Sequence, residues 1–177
     1  TQSPSSAASD VYKRQAIDSL SNINPDFLTL HISGGNEMMK AAVNSIKKNK
    51  LKTKILGVTL LTSLDGKDSE KIYKEKNTKK LVKKLTKMAN NVNIHGLVCS
   101  GNDLRVLRNF NKLIKITPGV KMFARNDDQK RVTFAHNALQ DGASFVVIGR
   151  ELIEIKKPLD LLKKYGEQHK NKNLWTK

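Results

Sequence analysis

The sequence predicts an α/β fold built on a parallel sheet. Two observations carry this. First, apolar β-branched runs alternate five times with amphipathic, lysine-rich segments between Ala16 and His169, with no hairpin signal at the joins. Second, the runs stay apolar along their length, as in LVCS (Leu97–Ser100) and FVVIG (Phe145–Gly149), which is how a strand buried on both faces reads. Parallel neighbours need right-handed crossovers, and the intervening helical segments supply them. An open doubly wound sheet and part of an eight-stranded (β/α) barrel both satisfy the pattern. A complete barrel takes roughly 200–250 residues, so five units in 177 residues are too few for one.

The elements follow in order. Thr1–Gln15 is small, polar and unpatterned, and is expected to be a tail foreign to the fold; a disordered native arm is the alternative. The expected division is therefore a tail over 1–15 and one domain over 16–177. Ala16–Leu20 ends a helix. Pro25–Gly35 reads as a strand and a Gly turn, and Asn36 as the N-cap of an amphipathic helix running to Lys50. Lys54–Ser63 is the second strand. Leu64–Asn77 is a polar stretch, mobile or partly helical, leading into a lysine-rich helix over Thr78–Asn91. His95–Ser100 is the third strand, followed by a short helix over Asp103–Phe110. Leu113–Gly119 is the fourth, and the loop Val120–Val132 precedes a helix over Thr133–Asp141. Ser144–Arg150 is the fifth, and Pro158–His169 a terminal helix with Pro158 in its first turn.

Composition narrows the function classes. No apolar run approaches the roughly 18 residues of a membrane span. The single cysteine, Cys99, lies within an apolar strand and reads as core; a reducing compartment, the cytoplasm, is the natural setting. The formal charge of +17 invites a nucleic-acid reading. Against it, only six of the 33 basic residues are Arg, and no aromatic residues are interleaved for base stacking. Solvated lysine faces are the expectation, with no specific nucleic-acid partner.

The chemistry is expected at the carboxyl ends of the strands, where barrel enzymes keep it. There stand Thr117-Pro118-Gly119, a polar loop with Gln129, and Gly149-Arg150. A glycine whose N–H can approach an oxyanion, beside a guanidinium, suits a phosphate.

Five pieces then add up: LHISGG (Leu30–Gly35), VTLLTS (Val58–Ser63), GLVCS (Gly96–Ser100), TPGV with DDQKR (Thr117–Val120, Asp127–Arg131) and VVIGR (Val146–Arg150). Each is short, but in this order and spacing the chain from about Ala16 to Gln168 resembles the orotidine 5′-phosphate decarboxylase family. The resemblance implies a (β/α)₈ barrel acting as a homodimer, without metal or cofactor, on orotidine 5′-phosphate (OMP) to give UMP and carbon dioxide. The five units would be its strands four to eight. It also implies an upstream D-x-K-x-x-D motif whose Lys protonates C6 of the pyrimidine. This sequence contains no such motif, so the expectation is a truncated, inactive piece with no catalytic residue of its own. The related hexulose-phosphate synthase and ketogulonate-phosphate decarboxylase group, which uses magnesium, is a rival that LLTS and DDQKR disfavour. A basic RNA-binding protein is a second rival, resting on charge alone.

By the same resemblance, Gly149 and Arg150 form a phosphate clamp, Gln129 reaches phosphate and base, and Thr62 reads the pyrimidine edge. These residues are expected to share one pocket. Lys121 joins them where the family usually has Arg, so a point charge replaces a planar fork. His31, Thr59 and Ser100 line the site; a satisfied core histidine and a strand cap are the alternatives for His31 and Ser100. Glu151 departs from the common Gly-Arg-Pro. His95 and His136 read as surface or helix residues, and Met38 and Met39 as helix core or dimer packing.

Overall fold

The computed structural model of the chain describes Ser19 and residues 23–61, 63–122 and 133–169. Five strands form one sheet: β1 (Phe27–His31), β2 (Lys54–Val58), β3 (Gly96–Val98), β4 (Ile114–Pro118) and β5 (Phe145–Val147). Every neighbouring pair is parallel, and the spatial order is the chain order. A doubly wound sheet reverses its strand order at a switch point; this one does not.

The sheet also curls. The rings of Phe27, which opens β1, and Phe145, which opens β5, meet edge to face at 5.7 Å. In a flat five-stranded sheet the outer strands would lie about 19 Å apart, beyond the reach of two phenyl rings. Unreversed order and curvature together are those of a barrel wall, as expected from the sequence.

The register sorts side chains between two faces. Phe27, Leu56, Ile116 and Phe145 share the concave face, while Leu30, Ile55, Leu97 and Thr117 point outward beneath the helices. Those four outward residues are buried, and the core lies there. It is closed by α1 (Gly35–Lys48) and α3 (Thr78–Asn91). Met38, Met39, Ala42 and Ile46 recur at helical spacing on α1, and Leu81, Val82, Leu85 and Ala89 on α3. Burying each of the larger ones contributes about 1.5–3 kcal/mol. The opposite face of α3 exposes Lys79, Lys80, Lys83, Lys84 and Lys87, the solvated face anticipated from composition.

Local chemistry explains where the elements differ from expectation. The first helix begins at Gly35, and no side chain caps it. A 3₁₀ turn over Ile32–Gly34 leads straight into it, with Gly35 at φ +89°, so Asn36 is already inside. The polar stretch after β2 holds α2 (Gly66–Tyr73), started by a reciprocal capping box. Asp65 Oδ1 accepts from the N–H groups of Lys67 (2.7 Å) and Asp68 (3.0 Å), and Asp68 Oδ2 accepts from Asp65 N–H (3.4 Å). Beyond β3 the chain forms a 3₁₀ turn over Gly101–Leu107 rather than a helix over Asp103–Phe110. Further along the described residues lie α4 (Ala135–Gln140), α5 (Arg150–Ile153) and α6 (Pro158–His169).

His95 corrects its surface reading. It is partly buried just before β3, where its Nδ1 accepts Ile55 N–H at 3.0 Å and its own N–H donates to Ile55 O at 3.1 Å. Burial, then the charges of Lys47 and Lys54, hold the imidazole below the ordinary histidine range. The unfolded chain therefore takes up this proton more readily than the folded one. The stabilisation is complete above about pH 6.5 and is lost as pH falls through the lower folded value. Urea midpoints should drop between pH 7 and 5, and drop less in His95→Gln; equal slopes in the two proteins would assign the effect elsewhere.

Candidate functional site

Candidate residues gather at the carboxyl edge of the sheet. His31 ends β1 and is exposed. Thr59 follows β2 and is buried; its N–H and its hydroxyl both donate to Val98 O, each at 3.1 Å, so the side chain ties β2 to β3. Ser100 follows β3, and its Oγ accepts Asn102 N–H at 3.3 Å, capping the 3₁₀ turn. Cys99 beside it is core as expected, its thiol pushed up to about 12 by burial, with the Asp103 charge adding.

Past β4, Gly119 turns the chain at φ +71°. Lys121 then forms a bridge with Phe134: its N–H donates to Thr133 O (3.1 Å), and its carbonyl accepts from Ala135 N–H (2.8 Å). Met122 N–H donates to the Glu151 carboxylate at 2.7 Å. Past β5, Gly149 precedes α5 and Arg150 opens it. Among the described residues, its chain neighbours aside, nothing lies within 4 Å of where a Cβ on Gly149 would stand. Thr62 and Gln129 lie outside the described residues.

A cleft of about 1100 Å³ opens above β2, β3 and β4. Its described walls include Leu60, Leu61, Ser100, Pro118 and Gly119 at the strand ends, with Lys67, Lys76, Lys79 and Arg105 around them. Of the candidate residues, Ser100 stands on these walls. His31, Thr59, Lys121, Gly149 and Arg150 belong to the same edge of the sheet but are not among the described lining residues.

The sequence reading missed Asp103. This carboxyl is 8% exposed on the cleft wall, and burial pushes it up to about 6, with Lys79 pulling the other way. In NDLR it looks like an ordinary helix-surface acid, and nothing in the sequence signals its burial. Asp141, another cleft acid, is held by Arg105 (3.0 and 3.2 Å) and Arg108 (3.1 Å). The described lining sets Lys67, Lys76, Lys79 and Arg105 against Asp65, Asp103 and Asp141. Among the described residues, no three His, Cys, Asp or Glu side chains gather as a metal site, and no helix is long and apolar enough to cross a membrane.

Residues 9–165 match the "Orotidine 5'-phosphate decarboxylase / HUMPS family". The chain is 36% identical over 146 residues to the orotidine 5′-phosphate decarboxylase of Wolbachia pipientis subsp. Culex pipiens (strain wPip), across 81% of this chain and 64% of that protein. It is 37% identical over 148 residues to the enzyme of that name from Ehrlichia chaffeensis, across 82% of this chain and 63% of the relative. The chain thus spans less than two thirds of the length of these two relatives. The crystal structure of orotidine 5′-phosphate decarboxylase from Lactobacillus acidophilus superposes with a TM-score of 0.73 at 22% identity, over 89% of this chain and 69% of that one. That likeness establishes the barrel fold.

Proposed function

We propose that this chain, which belongs to the orotidine 5′-phosphate decarboxylase / HUMPS family, forms the phosphate-binding part of an enzyme that converts OMP to UMP and carbon dioxide. The observation that carries the reading is the Gly149–Arg150 turn, where a glycine sits beside a guanidinium at the carboxyl edge of the sheet. Gly149 N–H and Arg150 hold the phosphate, and Gln129 reaches over it. Lys121 supplies a second cation, Thr62 reads the pyrimidine edge, and His31, Thr59 and Ser100 shape the floor. Decarboxylation needs a proton delivered to C6. The sequence has no D-x-K-x-x-D to deliver it, so the chain as it stands binds nucleotide without turning it over. The domain over 16–177, with 1–15 as a tail, belongs to the same reading, as do a homodimer, a cytoplasmic setting and action without metal.

Nucleotide titration in the presence of a chelator tests this. Charge-assisted hydrogen bonds contribute about 1.5–3 kcal/mol each, so UMP should bind at least about tenfold more tightly than uridine. Equal affinity for the two, or binding only with added magnesium, would end the proposal.

A further inference from the structure

The β4–β5 ladder ends at the pair Pro118 and Val147, and the chain leaves the sheet on both sides before the candidate substrate residues arrive. Among the described residues, a short contact joins the two loops beyond that pair: Met122 N–H donates to Glu151 Oε2 at 2.7 Å. A carboxylate accepting at this distance makes a strong, charge-assisted bond. Lys121 and Arg150 flank it, one residue away on either side, and consecutive Cα atoms are about 3.8 Å apart. Lys121 is also held from its other side by the bridge to Phe134. Tyr165 of α6 is 1% exposed, its hydroxyl accepts His136 N–H of α4 at 2.9 Å, and it feels the charge of Glu151.

We propose that Glu151 is a positioning residue: by holding Met122, it sets the spacing between Lys121 and Arg150, the two cations assigned to the nucleotide. The inference deepens the reading above and rests on it for the identity of the ligand. It also accounts for an acid tolerated next to an anion-binding arginine, because the carboxylate is engaged by a backbone donor. A ligand that uses both cations depends on the spacing, whereas inorganic phosphate, small enough for the Gly149–Arg150 turn alone, does not.

The test compares wild type, Glu151→Ala and Glu151→Gln by titration with UMP and with inorganic phosphate, and by amide exchange at Met122 without ligand. Ala removes the acceptor; Gln keeps an amide oxygen and loses the charge. In Glu151→Ala, UMP affinity should fall about tenfold while phosphate affinity stays within about twofold, and Met122 exchange should quicken. Glu151→Gln should restore UMP affinity and slow Met122 exchange again, with phosphate affinity still unchanged. A general loss of structure would weaken both ligands alike and would count against positioning, as would a Gln variant no better than Ala. If wild type does not distinguish UMP from uridine, the enzyme assignment falls by itself. The exchange arm still decides the local claim: an unchanged Met122 amide in Glu151→Ala overturns it, and a faster one that Gln corrects sustains it.

Discussion

OMP turnover by the 177-residue chain is expected to be at least about 10⁴-fold slower than that of the same chain extended upstream by a segment carrying D-x-K-x-x-D. A positioned proton donor contributes about 10²–10⁴-fold by itself, and oriented charge at the reacting carbon adds a comparable factor. The chain keeps the groups assigned to the nucleotide's periphery and has none assigned to C6. It should therefore act as a binding protein for the product. Carbon dioxide release from OMP, followed with and without a chelator, measures both proteins. The extended protein should turn over without added metal. Fast turnover by the chain itself would place the proton donor among its own residues, and a strict metal requirement in the extended protein would move the assignment to the magnesium-dependent rival.

The second large effect is expected from Arg150→Ala in the extended protein. The phosphate is remote from the bond that breaks, so its binding energy serves to hold the pyrimidine against the proton donor. Losing a bidentate guanidinium should raise KM about 10–100-fold and lower kcat/KM at least as much. Arg150→Lys should recover only part of this, because a point charge cannot reproduce the fork. An unchanged KM would mean that the phosphate is held elsewhere on the sheet edge, and Lys121→Ala would then be the variant to examine.

Some features were legible in the sequence because the signals are local. The helix over Thr78–Asn91 has the expected bounds: Asn77 accepts Lys80 N–H at 3.0 Å, and the stripe Leu81, Val82, Leu85 is unambiguous. Pro158–His169 was equally plain. The capping box at Asp65 and Asp68 was also readable, yet the charge of the stretch hid it. Other features depend on partners distant in sequence. His95 receives Ile55 N–H, from 40 residues away. Lys115 looks like a surface lysine but is 5% exposed, its ammonium donating to Phe110 O at 2.8 Å and pulled down in pKa by burial. Asp103 is 8% exposed on the wall of a cleft that exists only once β2, β3 and β4 are side by side. The choice between barrel and doubly wound sheet is of this kind too. Alternation of strand and helix is common to both, and only the spatial order of the strands separates them. At the site, the strand-end positions of His31, Ser100, Lys121, Gly149 and Arg150 follow from the pattern, whereas the role of Glu151 rests on Met122 lying across the gap.

The agreement of strand order with chain order also bears on how the molecule is made. From β2 onward, each strand pairs with the one synthesised before it, about 20–40 residues earlier, as the pairs Thr29–Leu56, Leu56–Gly96, Gly96–Ile114 and Ile116–Phe145 show. From β2 onward, no strand has to wait for one not yet translated to find a partner. The loops closed at each step are modest, so the entropy cost of adding a strand stays nearly constant from β2 to β5. Such a wall can grow outward from the ribosome one β-α unit at a time, with low contact order at every stage. Until the following unit arrives, the newest strand is always an open edge. The hazard for this chain during synthesis is therefore pairing with a neighbouring nascent copy, and it moves along the sheet as translation proceeds.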